Sequence, residues 1–127
     1  MSKKVQQWLD RVEYDLRSAE AMFEAGRYIY VVFMCQQAVE KCLKAVILTK
    51  AREVPPIHNL RRLAELTGLT IDSEKLKMLD FLSEYYVNSR YKEDLAELSK
   101  GLTKDFAGEI LVFTKQVIEW LIQGIKY

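Results

Sequence analysis

Apolar residues recur every three or four positions through most of this chain, and this spacing is the feature that most constrains its fold. Wound at about 100° per residue, such residues form one stripe along a helix, which has to be buried against other helices. In the first segment the stripe includes Val5, Val12, Leu16 and Phe23, and it ends at Gly26, where a helix readily stops. No segment has the strict alternation that is typical of a strand. The sequence therefore predicts an all-α protein.

The remaining helices follow from the same spacing and from residues that start or stop helices. The two prolines of "EVPPIHN" end the second helix, because proline and the residue before it disfavour continued helix. Capping residues and glycines delimit the later helices. The predicted helices run from Tyr28 to about Lys50, from Leu60 to Leu66, from Asp72 or Ser73 through Tyr86, and from Thr103 to near the end.

Together these segments predict an up-and-down antiparallel bundle of four long helices plus one short helix. The stretch "NSRYKEDLAELSKGL" before the last helix has no long periodicity, although its "EDLAEL" is compatible with one helical turn. A chain of 127 residues, half of them apolar, has the size of one domain, so residues 1–127 are predicted to form a single unit.

Composition excludes several functional classes. The net charge of +1 gives no general attraction for nucleic acid or anionic membranes, and no apolar run reaches the length of a membrane span or signal peptide. A cytoplasmic protein is therefore expected.

Cys35 and Cys42 lie seven residues apart on one helix, about 10.5 Å at 1.5 Å per residue, which is too far for a disulfide. With one histidine in the chain they form no zinc ligand set, so we expect neither metal nor cofactor.

A polar stripe crosses the otherwise apolar second helix. Gln37, Glu40, Lys41 and Lys44 stand at positions i, i+3, i+4 and i+7, and Glu40 precedes Lys44 in the favourable order for an ion pair. An exposed pair of this kind contributes only about 0.3–0.5 kcal/mol, too little to account for the stripe. The pattern leaves two interpretations open, a solvated helix face or a polar surface that meets a partner or ligand.

Three segments in this order resemble the HEPN family. They are the stretch from Trp8 to Ile47, "PPIHNLRRL" and "NSRYKED", and their most specific parts are "QAVEKCLKA", "HNL" and "SRY". The resemblance spans nearly the whole chain. It implies an up-and-down helical bundle that commonly forms a homodimer. It also implies frequent pairing with a small nucleotidyltransferase encoded beside it, in arrangements similar to toxin–antitoxin pairs.

Many members of the family are metal-independent ribonucleases, with an arginine and a histidine separated by four to six residues. Arg90 matches the arginine, but Leu95, Ala96 and Glu97 occupy the positions where the histidine belongs. Metal-free RNA cleavage needs a group of near-neutral pKa to move the proton of the 2′-hydroxyl. Glu97 would serve only with a raised pKa, and His58 only if it reached Arg90 in the same chain or across a dimer.

The leading interpretation is therefore a homodimeric binding module that acts with a nucleotidyltransferase and binds a nucleotide or RNA phosphate. Its candidate anion-binding residues are Arg90, Tyr91, Lys41 and Lys44, since a guanidinium grips phosphate and a tyrosine ring stacks on a base.

Two alternatives remain open. One is a ribonuclease toxin in which Arg90 acts with His58, Tyr91 or Glu97, so that Arg90 and His58 are the catalytic candidates. The other is a structural helical adaptor that binds only protein. In the absence of a ligand role, Arg90 pairs with Glu93 or Asp94 or caps its helix, and His58 makes a local hydrogen bond.

Overall fold

The computed structural model describes residues 2–50, 53–91 and 95–126, and of residues 89–91, 95 and 126 it describes only the backbone. These ranges contain no strand, and the all-α prediction is confirmed. The bundle of four long helices is also confirmed, with one short helix more than predicted. The helices are α1 (Lys3–Glu24), α2 (Tyr28–Thr49), α3 (Leu60–Leu66), α4 (Ser73–Tyr91), α5 (Leu95–Ser99) and α6 (Lys104–Lys126).

Helix α2 is the centre of the bundle. Its residues are apolar on nearly every side, so it is buried against α1, α3, α4 and α6. Helices α1 and α2 form an antiparallel hairpin, and the turn between them passes through Gly26, whose φ of +73° is rarely adopted by residues with a Cβ. The central position of α2 means that three polar side chains on it, those of Gln36, Glu40 and Lys44, are buried.

One side-chain cap and one buried hydrogen bond fix the start of α3. The side chain of Asn59 accepts a hydrogen bond from the Arg62 N–H at 2.9 Å, which caps the helix. The Leu60 N–H donates to the Ser83 hydroxyl of α4 at 2.9 Å, and this bond is buried. The residues just before α3, including His58, are thereby attached to α4 on one side, while Leu60 itself packs in the core.

The segment between α4 and α6 differs from its prediction. The predicted fourth helix runs through Tyr86 and leaves Arg90 and Tyr91 beyond its end, but α4 continues to Tyr91 and both lie in its last turn. The apolar stripe ends earlier because residues 88–90 are polar, yet the backbone hydrogen bonds of a helix need no apolar stripe to continue. Residues 92–94 lie outside the described residues. The suggested pairing of Arg90 with Glu93 or Asp94 therefore also lies outside them and stays a prediction.

The turn expected in "EDLAEL" forms α5, which is attached to α4. The Tyr85 hydroxyl donates to the Leu98 carbonyl oxygen at 3.1 Å, and Leu98 is buried. Thr103 accepts a hydrogen bond from the Phe106 N–H at 3.1 Å and so caps α6, as its position in the sequence predicts.

Both cysteines lie in the core as free thiols. Burial raises the pKa of Cys35 to about 11 and that of Cys42 to about 12, so both are protonated at neutral pH. Across the described ranges, no cluster of metal-ligating side chains is present. None of the helices in the same ranges combines the length and apolar character needed to cross a membrane.

Candidate functional site

The middle of α2 contains a buried polar network centred on the carboxylate of Glu40. The Gln36 side-chain amide donates to Oε1 at 3.0 Å, the Lys44 ammonium donates to Oε2 at 3.0 Å, and His58 Nδ1 lies 3.0 Å from the same Oε2. The side chains of Glu40 and Lys44 are only 6% and 8% exposed. The interpretation of the polar stripe as a solvated face therefore does not hold for these two residues.

The hydrogen-bond pattern restricts the tautomer of His58. The Gln36 amide and the Lys44 ammonium donate to the Glu40 carboxylate, and a carboxylate only accepts hydrogen bonds, so the contact between Nδ1 and Oε2 needs a hydrogen on Nδ1. Nδ1 of a neutral His58 must then carry the hydrogen, and Nε2 holds the lone pair. This tautomer is inferred from the network. It makes Nε2 the atom that can accept a proton.

His58 is the only member of the network with a largely exposed side chain. The imidazole is 60% exposed, while Nδ1 faces the buried carboxylate. The backbone of His58 is held as well, since the Gln36 amide reaches its carbonyl oxygen at 3.4 Å and the next two residues anchor α3. The imidazole is thus oriented from two directions.

Lys41 lies on the neighbouring side of α2 and has a different partner. Its ammonium pairs with the carboxylate of Asp15 on α1, and both side chains are largely buried. The predicted anion-binding lysines, Lys41 and Lys44, therefore each pair with a carboxylate of the same chain. An ammonium has three N–H donors, so these pairs leave donors for a ligand, and anion binding at the two lysines stays a prediction. Gln37 is half-buried.

Trp8 of α1 extends the network toward the surface. The Lys44 ammonium lies 6.0 Å from the centre of the indole ring, and the Arg11 guanidinium lies 5.9 Å from it. Such cation–π contacts favour a cation beside an aromatic face. Sequence reasoning missed Gln36, Trp8 and Asp15 as members of the polar cluster. The signal available for Gln36 was its spacing of four residues from Glu40.

The second candidate region is the last turn of α4, which contains Arg90 and Tyr91. Arg90 comes seven residues after Ser83, so its backbone lies about 10 Å farther along the helix axis than the anchor of α3. One turn before Arg90, the Tyr86 ring packs edge to face against Phe33 of α2, with ring centres 5.7 Å apart. The contact between Arg90 and His58 that the ribonuclease interpretation requires involves a side chain outside the described set, and it stays a prediction.

The sequence and the fold were both found to match those of known proteins. A model of the HEPN domain matches residues 5–125. The structure is similar to that of ST0689, an archaeal HEPN homologue, with 25% identity, a TM-score of 0.78, and coverage of 98% of this chain and 99% of that one.

A second solved structure, that of TT1696 from Thermus thermophilus, shares the fold. It is 20% identical to this chain, with a TM-score of 0.79 and coverage of 96% of this chain and 98% of the other. No curated protein sequence matches the chain significantly. Because the family model spans nearly all of the sequence and the structure has the corresponding fold, this protein belongs to the HEPN family.

Proposed function

We propose that this protein is a single-domain, cytoplasmic binding module that forms a homodimer and acts with a minimal nucleotidyltransferase, as in toxin–antitoxin pairs. It holds a nucleotide or an RNA phosphate at the end of α4. The observation that carries the proposal is the incomplete ribonuclease signature of a HEPN protein. Arg90 is present in the last turn of α4, while the three positions expected for histidine hold Leu95, Ala96 and Glu97.

The residue types at this end suit binding better than proton transfer. A guanidinium donates two parallel hydrogen bonds to a phosphate, and an adjacent tyrosine ring stacks on a base. Leucine and alanine carry no proton, and a glutamate serves as a general base only when its surroundings raise its pKa. The end of α4 therefore has the groups to hold an anion but not the usual histidine to act on it.

Ligand binding is tested with an RNA oligonucleotide in which every 2′-hydroxyl is methylated, so that binding is measured without cleavage. Fluorescence anisotropy is expected to show binding that weakens as salt rises, because phosphate contacts release counterions. Arg90→Ala is expected to weaken it. The matched control is Arg17→Ala, which removes an arginine of α1 with a 72% exposed side chain and should leave binding unchanged. Equal affinity of Arg90→Ala and the unmodified protein would contradict the proposed site.

Assembly is tested separately. Light scattering after gel filtration is expected to give twice the 14.9 kDa mass of the chain, and the nucleotidyltransferase encoded beside it is expected to co-purify. A monomer with no such partner would contradict the proposal. Partner association without any binding of nucleotide or RNA would instead favour the helical adaptor.

A further inference from the structure

We propose that a cavity between α1 and α2 binds a small zwitterion of the size of a free α-amino acid. The cavity has a volume of about 420 Å³ and is lined by Asp10, Arg11, Tyr14 and Asp15 of α1 and by Lys41 of α2. Small-molecule sites typically have volumes of about 300–1,000 Å³. The site uses neither Arg90 nor Tyr91, so it is independent of the binding proposed at the end of α4.

An ion pair between Asp15 and Lys41 forms part of the cavity wall. The two side chains are only 11% and 19% exposed, and the pair joins α1 to α2. Along α1, which is described over its whole length, the other buried residues are apolar. Replacing a buried ion pair by apolar side chains often costs no stability, so contact between the two helices does not require these charges. Their position beside a cavity favours a role toward a ligand.

The charges of the cavity wall select a ligand that carries both signs. Asp10 and Asp15 contribute two carboxylates, while Arg11 and Lys41 contribute two cations, so the wall has no net charge. The carboxylates repel a simple anion, and the cations repel a simple cation. An apolar ligand would remove water from all four charged groups without replacing its hydrogen bonds. A zwitterion satisfies both signs at once.

The arrangement of the buried pair matches the charged groups of an α-amino acid. The Lys41 ammonium contacts one carboxylate oxygen of Asp15, so that opposite charges lie side by side, as they do around an α-carbon. An ammonium has three N–H donors, and Lys41 can therefore donate to a ligand carboxylate while its pair with Asp15 persists. The Asp15 carboxylate has a second oxygen that can accept a hydrogen bond from the ligand ammonium.

Tyr14 and Arg11 offer a surface for the side chain of the ligand. The tyrosine is 74% exposed, and the Arg11 guanidinium lies 5.9 Å from the centre of the Trp8 ring. Aromatic rings pack favourably against other rings and beside cations. We therefore choose L-phenylalanine as the probe, because it combines both charges of a zwitterion with an aromatic side chain.

The need for both charges is tested by titration calorimetry at neutral pH with L-phenylalanine and two analogues. Hydrocinnamate lacks the ammonium, and phenethylamine lacks the carboxylate. We expect each analogue to bind at least about tenfold more weakly than phenylalanine, since each leaves charges of the wall unmatched. An analogue that binds as tightly as phenylalanine would overturn the proposal, and so would a failure of phenylalanine to bind at millimolar concentration.

The location is tested by NMR through the indole N–H of Trp8, which lies beside Arg11. The chain has two tryptophans, so Trp120→Phe leaves Trp8 as the source of the indole signal. Phenylalanine is expected to shift this signal, and an equal concentration of hydrocinnamate should shift it much less. Binding of phenylalanine without any shift would place the ligand elsewhere and overturn the proposal.

Variants test the individual charges. Arg11→Ala and Asp10→Asn change exposed positions without breaking the buried pair, and each is expected to weaken phenylalanine binding about tenfold. The matched control Arg17→Ala removes a cation of α1 outside the cavity and should bind like the wild type.

The buried pair is tested with the double variant Asp15→Asn/Lys41→Met, which leaves no unmatched charge and should abolish binding. Circular dichroism checks that it folds. Wild-type affinity in the folded double variant would overturn the proposal. If the double variant does not fold, the two exposed variants decide, and wild-type affinity in both of them would also overturn it.

Discussion

The two candidate regions differ in how their charges are arranged. Around Glu40, opposite charges and hydrogen-bond donors meet within 3.0 Å inside one chain. At the end of α4, Arg90 follows a polar stretch in the last turn of a helix, and no histidine follows it at the family spacing. The difference teaches that this bundle satisfies one cluster of charges within its interior, while the arginine of the family signature lies at the end of a separate helix.

The largest expected effect on stability is in the first region, at Lys44. Replacing Lys44 by Met leaves the buried Glu40 carboxylate without its ammonium, and breaking a buried ion pair in this way typically costs about 3–5 kcal/mol. The free energy of unfolding in urea measures the loss. The double variant Glu40→Met/Lys44→Met should recover most of it, because no unmatched charge remains. A Lys44→Met protein as stable as the wild type would show that the network is not held by this pair.

An intermediate effect is expected at Ser83, which joins the first region to α4. Ser83→Ala removes the acceptor of the buried Leu60 N–H, and an unsatisfied buried donor costs about 1–3 kcal/mol. The same urea titration measures it. Ser18→Ala, which removes an exposed hydroxyl bonded within α1, is the control and should change stability little. If the two serine variants are equally stable, the loop of His58 is not anchored through Ser83.

The smallest effect is expected in the second region, at the connection between α4 and α5. Tyr85→Phe removes the half-buried hydrogen bond to the Leu98 carbonyl oxygen and should cost about 0.5–1.5 kcal/mol. Faster amide hydrogen exchange is expected in α5 (Leu95–Ser99), with no change in the ¹⁵N signals of His58. A shift of those signals would mean that the connection between α4 and α5 is structurally coupled to the network around Glu40.

Most of the fold could be predicted from the sequence, because apolar spacing and capping residues act locally. The predicted third helix, Leu60 to Leu66, has the same bounds in the structure. Asp72 and Thr103 cap their helices as expected. The predicted end of α4 was wrong because a helix can extend past its buried apolar stripe. Polar residues alone do not mark where a helix stops.

The polar site was less predictable because it depends on packing between elements. The stripe pointed to Gln37, yet the amide that donates to Glu40 belongs to its neighbour Gln36, which is fully buried. On a helix enclosed on several sides, a polar stripe does not reveal which side faces water. The pairing of His58 with Glu40 joins residues 18 apart, and no local pattern predicts such a contact.

The enclosure of α2 separates two kinds of sequence change. Substitutions on this helix disturb several neighbouring helices at once, since it contacts α1, α3, α4 and α6. Substitutions on the outward sides of those surrounding helices leave the centre intact. Sequence changes that leave this fold intact should therefore collect on its periphery, and outward-facing residues should be exchangeable between two such proteins with little loss of stability.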